Sequence, residues 1–206
     1  MDIIICPGIH EPDLTESFIS GCFNLNCDSV RGASRREALR PRGDRTLVQN
    51  PDNILIFPEQ GVLTLSPLHI LQFIHNCLGD RLQSPVFFIS FSAGVVGAII
   101  AARSWQLLGG KVKAFMAIDG WGVPLWGDFP IHRMSHDYFT HWSSSLMGSG
   151  QNNFYAEPAV DHLSMWRSPQ TVQGVLTNQF LEFYPKSDRL SASDFVHLLL
   201  KRYEEK

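Results

Sequence analysis

Val86-Phe87-Phe88-Ile89-Ser90-Phe91-Ser92-Ala93-Gly94-Val95-Val96-Gly97-Ala98-Ile99-Ile100-Ala101-Ala102 reads as an apolar strand that passes directly into a helix of small residues. A serine at so tight a strand-to-helix turn takes strained backbone angles, and the residues two before and two after it must be small for strand and helix to approach. Ser90 and Gly94 meet that requirement. The turn holds the Ser92 hydroxyl above the sheet edge and puts the Ala93 N–H beside it at a helix N-terminus, where it can stabilise an oxyanion.

Working outward, strand-like runs alternate with helix-length segments, the pattern of a parallel sheet with crossover helices. The runs are Asp2 to Cys6, Asn53 to Phe57, Val86 to Phe91, Val112 to Ile118, Ile131 to His136 and Asn153 to Ala156, which predicts an α/β fold with about six strands. Between them, Ser66-Pro67 reads as an N-cap followed by the first helical residue, with an apolar stripe of Leu68, Leu71, Ile74, Cys77 and Leu78 ending at Gly79. Ser168-Pro169 repeats the signal and predicts a helix with the stripe Val172, Val175, Leu176, Phe180 and Phe183. A last helix opens at Ser191 with Asp194 in the capping-box position.

One stretch departs from this rhythm. Asp28 to Pro51 holds six arginines between Arg31 and Arg45 with glycines, prolines and few apolar residues, so a solvated loop insertion around 28–51 in a single domain spanning 1–206 is expected. With 17 basic against 20 acidic residues, the chain has no overall field to attract nucleic acid or an anionic membrane. The longest apolar helix candidate, Val95 to Ala102, is closed by Arg103 and is too short to span a bilayer. Cys6, Cys22, Cys27 and Cys77 form no CxxC pair and sit mostly in apolar segments, as reduced thiols of a cytoplasmic protein do. No Gly-x-Gly-x-x-Gly follows the first strand and no Gly-Lys-Ser/Thr occurs, so the glycine-rich phosphate cradles are missing.

The segment around Ser92 resembles the nucleophile elbow of the α/β-hydrolase superfamily, normally Gly-x-Ser-x-Gly, with Ser90 in place of the first glycine. The resemblance extends in order over nearly the whole chain. It implies a three-layer α/β/α sandwich, a minimal α/β-hydrolase fold, in which the turn Cys6-Pro7-Gly8-Ile9-His10 supplies a second oxyanion donor from the Ile9 N–H.

A serine hydroxyl needs a histidine to take its proton, and that imidazole needs a carboxylate to fix its tautomer. In this superfamily the order is serine, acid, histidine. His69, His75 and His197 fall in helices, His132 in a strand, and His10 precedes the serine, which leaves His136, His141 and His162. His162 lies on a loop after the last predicted strand and before the Ser168 helix, where the superfamily places its base. The acid has two candidates. Asp137 follows the strand after which most members keep it and precedes His162 by 25 residues, so it is preferred; Asp119, ending the preceding strand, is the alternative.

The implied activity is hydrolysis of an ester or thioester through an acyl-enzyme on Ser92, with a small acyl substrate as the partner and no cofactor or metal. Trp121, Trp126, Trp142 and Trp166 fall just after strands, at the edge where such sheets bind ligands, and favour an apolar substrate. The competing expectation is a hydrolase-shaped binding protein without turnover.

Overall fold

The computed structural model of the chain describes residues 1–23, 53–79, 81–148, 150, 152–178 and 189–205. The Arg-rich segment 28–51, Cys27, Phe180 and Phe183 lie outside the described residues.

Eight strands form one sheet: β1 (Asp2–Cys6), β2 (Asn53–Ile56), β3 (Val86–Phe91), β4 (Val112–Ile118), β5 (Ile131–Ser135), β6 (Asn152–Ala156), β7 (Gln173–Asn178) and β8 (Arg189–Ser191), in the spatial order β2-β1-β3-β4-β5-β6-β7-β8. The first six are parallel, with Cys6 beside Ser90 and Ser90 beside Ala117; β7 and β8 are antiparallel additions. Because β1 lies between β2 and β3, the chain leaves β1 to one side and later returns to the other. The carboxyl ends of β1 and β3 therefore flank a topological switch point, where open α/β sheets hold their ligands.

The described helices are α1 (Pro12–Phe23), α2 (Pro67–Leu78), α3 (Gly94–Leu107), α4 (Tyr138–Ser145), the single turn α5 (Ser164–Arg167) and α6 (Ala192–Glu204). Strand residues alternate between two buried apolar clusters, since successive side chains leave opposite faces of a sheet. Ile3, Ile5, Phe87 and Ile89 join Phe18 of α1, Trp166 of α5 and Phe195 of α6. Ile4, Val86 and Phe88 join Ile70 and Ile74 of α2 and Ala98 and Ala102 of α3. Each fully buried aliphatic or aromatic side chain contributes about 1.5–3 kcal/mol.

The small residues of α3 are there because backbone lies against them. A Cβ on Gly94 would stand 2.2 Å from the carbonyl oxygen of Pro7 and 2.7 Å from that of Cys6, and one on Gly97 would stand 2.9 Å from that of Thr64. The caps follow the sequence as well. Ser66 accepts from the His69 N–H at the start of α2, Gly79 ends it at φ 57°, and Ser191 and Asp194 form a reciprocal capping box on α6.

The helix expected after Ser168-Pro169 is instead strand β7, and the expected six strands become eight. Only a four-residue helical turn forms, and it precedes Ser168. The reason is tertiary: Val175 pairs with Tyr155 and Leu176 with Phe154 along β6. Gly174 sits so close that a Cβ would stand 2.3 Å from both the Phe154 ring and the Tyr155 carbonyl oxygen. Edge pairing with an existing strand outweighed a local start signal. Among the described residues no helix is long and apolar enough to cross a membrane.

Candidate active site

Ser92 follows the last residue of β3 with φ 51°, in the left-handed region that non-glycine residues seldom occupy. Its N–H donates to the Ile118 carbonyl at 2.8 Å, which fixes the turn to β4. Ser90, where the motif carries glycine, is fully buried, and its hydroxyl donates to the Met116 carbonyl at 3.1 Å. The extra oxygen is therefore absorbed by β4. Gly8 packs on the serine itself, since a Cβ there would lie 3.0 Å from the Ser92 Cβ, so the Gly8–Ile9 peptide runs alongside. Among the described residues neither the Ile9 N–H nor the Ala93 N–H donates to a backbone carbonyl.

His162 reaches Ser92 from the loop between β6 and α5. Its Nε2 is 3.0 Å from Ser92 Oγ and its Nδ1 is 2.9 Å from Asp119 Oδ2. The ring rests on an aromatic column: His162 stacks on Phe91 at 4.8 Å, Phe91 on Trp166 at 4.9 Å and Trp166 on Phe18 at 3.8 Å. The Trp166 indole N–H donates to Thr15 Oγ1 at 3.2 Å, so the column is also locked to α1. Trp166 is thus core, whereas Trp121, Trp126 and Trp142 are exposed.

Asp119, directly after β4, has φ 50° and is the second non-glycine residue in the left-handed region among those described. Its side chain is only 1% exposed, against 40% for His162, so the carboxylate must be held by donors. They are present: the His136 backbone N–H donates to Oδ1 at 2.8 Å and His162 Nδ1 lies at Oδ2. The loop that follows is pinned by Arg133, which is 1% exposed and donates to the carbonyls of Gly120, Val123, Met147 and Gly148. Burial pulls its guanidinium down to about 10.

The preference for Asp137 over Asp119 as the partner of His162 is therefore corrected. Asp137 lies two residues beyond Ser135, the end of β5, and caps α4 by accepting from the Thr140 N–H at 2.6 Å. Against the opposing desolvation, that bond and the nearby His136 hold its carboxyl below the usual range. Its charge is used by a helix start.

His136 was one of three histidines left open by the sequence, and it stands on the same carboxylate. Its Nδ1 is 3.1 Å from Asp119 Oδ2, off the line of a hydrogen bond, and that buried atom has no hydrogen-bond partner among the described residues. The third, His141, stacks on Tyr155 at 5.2 Å, and burial lowers its pKa. His10 sits 5.6 Å from Phe91 with a buried Nε2 that has no partner among the described residues. Asp119, His136 and His162 each bring one possible metal-ligating atom within 4.8 Å of the others. Their nitrogen–oxygen separations of 2.9 and 3.1 Å fall short of the roughly 3.3 Å edge of a tetrahedral zinc site. The spacing suits proton sharing.

The assembled chain of Ser92 hydroxyl, imidazole and buried carboxylate can deprotonate the serine and hold the resulting imidazolium. Compared with models of protein families and with curated proteins, the sequence finds no match.

Proposed function

We propose that this chain is a serine hydrolase of the α/β-hydrolase type, with a single domain in the superfamily's three-layer arrangement, and that it cleaves an ester or thioester through an acyl-enzyme on Ser92. The observation that carries the proposal is the continuous contact from Ser92 Oγ to His162 Nε2 at 3.0 Å and from His162 Nδ1 to Asp119 Oδ2 at 2.9 Å. Ser92 attacks the acyl carbon while His162 takes its proton and then delivers it to the leaving group. Asp119 holds the ring in the tautomer that leaves Nε2 free to accept. The Ile9 and Ala93 N–H groups receive the oxyanion, each about 3 Å from the oxygen in such a site. Water then repeats the sequence to release the acid.

An acyl substrate with an apolar portion fits the exposed Trp121, Trp126, Tyr138, Phe139 and Trp142, which follow β4 and β5 on the chain. Buried, reduced Cys6 and Cys22 suit a reducing, cytoplasmic setting. The test is labelling with a fluorophosphonate. The intact protein forms a covalent adduct and Ser92→Ala does not; an intact, folded protein that resists the probe would leave a binding protein of the same shape as the better reading.

A further inference from the structure

The Asp119 carboxylate meets two imidazoles, and the proposed reaction uses only one. We infer that His136 is a positioning residue for the Ser92 site, holding both oxygens of Asp119 and setting, through its own charge, the pH range in which His162 accepts the serine proton. The inference rests on the hydrolase reading.

The geometry is specific. One residue supplies the backbone N–H at Oδ1, 2.8 Å away, and the ring Nδ1 at Oδ2, 3.1 Å away. A ring with a bare Nδ1 would press a lone pair against a carboxylate oxygen, so Nδ1 carries a proton in both charge states and Nε2 titrates. Nε2 faces Asp137 Oδ2 at 3.6 Å. The polar contact with Asp119 holds His136 above the ordinary imidazole range; burial opposes it, and the charges of Asp119, Asp137 and Asp161 add to it. The charged and titratable groups around it are thus Asp119 after β4, Asp137 at the start of α4, and Asp161 and His162 on the loop before α5. His10, from the turn after β1, lies near His162, and burial, together with the charge of His162, lowers its pKa.

The His136 and His162 rings lie edge to face, with centroids 5.9 Å apart. A cation on His136 offsets the Asp119 charge that supports an imidazolium on His162, so the two protonations oppose each other. Two unit charges at that separation, in an effective dielectric of about 40 to 80, displace a titration by about half to one pH unit. While His136 is charged, it extends the range of the base toward lower pH.

The experiment has two arms. In the first, kcat/KM for a short-chain p-nitrophenyl ester is followed against pH. His136→Asn keeps an amide N–H near the place of Nδ1 but cannot titrate, and His136→Ala removes both. Both variants move the acid limb up by about half to one unit, and the plateau kcat falls further in His136→Ala than in His136→Asn, with KM steady. A limb that stays at the wild-type position in both variants overturns the inference. In the second arm, ring-proton NMR follows the His162 midpoint in the resting protein. His136→Asn raises it by the same half to one unit, and an unmoved midpoint overturns the inference. This arm needs no turnover. A protein that shows the coupled midpoints but neither takes up fluorophosphonate nor cleaves esters refutes the hydrolase reading and not the pairing of the two histidines.

Discussion

His132 and His136 stand four residues apart, one within β5 and one just past its end, yet they are built for opposite purposes. His132 is 1% exposed, with Nδ1 2.9 Å from the Asn152 carbonyl and Nε2 2.8 Å from the Tyr203 hydroxyl. Its partners are neutral, and burial pulls it down to about 4, so it stays uncharged at neutral pH. His136 is flanked by carboxylates and is held above the ordinary range. The same side chain serves as a fixed packing element or as a titrating group according to whether its neighbours are neutral dipoles or anions. One polar cluster should answer to stability and the other to activity.

The largest effect expected from breaking this contrast is at the carboxylate. Asp119→Asn should lower kcat by about four decades, the loss seen when an orienting carboxylate can no longer fix the tautomer, while Asp137→Asn stays within about threefold. Steady-state kinetics on one ester decides between them, and the reverse ranking would return the role to Asp137.

Next comes acid. The folded-state pKa of His132 is depressed, so its contribution is present above the unfolded value near 6.5 and is lost as pH falls toward about 4. That loss is on the order of 3 kcal/mol. His136 runs the other way: its contribution is complete below about 6.5 and is lost as pH rises through its raised folded value. Urea unfolding between pH 7 and 4.5 should show the acid loss, and His132→Gln, which cannot charge, should flatten it.

Smaller again is the loss of a single partner. Tyr203→Phe leaves His132 Nε2 buried without its hydroxyl and should cost about 1–3 kcal/mol, read as a lower melting temperature with kcat per folded molecule unchanged. Asp137→Ala removes the cap of α4 and should cost about 1 kcal/mol, again in melting and not in the orientation of His162.

Much of this organisation was legible from the chain. The strand–turn–helix at Val86 to Ala102 fixed where the serine stands, because apolar continuity and small residues leave few other ways to pack. The Ser66 and Ser191 caps were readable because capping is local. The β7 strand was not, since its ladder partner Tyr155 and the ring of Phe154 against Gly174 lie about twenty residues away in sequence. Which carboxylate stands beside His162 was not legible for a related reason. Asp119 and Asp137 both follow strands, and what separates them is that Asp137 accepts from the N–H of Thr140 in the first turn of α4, while the partners of Asp119 among the described residues are His136 and His162. The available hint was Asp119-Gly120 itself, since aspartate tolerates the left-handed backbone at a sharp strand end better than most residues. The second imidazole on Asp119 had no sequence signal beyond its position after the neighbouring strand.

Ser92 and Asp119 directly follow adjacent strands, and both have positive φ. Glycine would sit at either place with less strain, at a difference of about 1 kcal/mol for the serine. On the proposed hydrolase reading the working form of this protein is therefore not its most stable form: Ser92→Gly is expected to melt higher and to do no chemistry. A screen that selects only for heat resistance would, at Ser92, select against the proposed nucleophile.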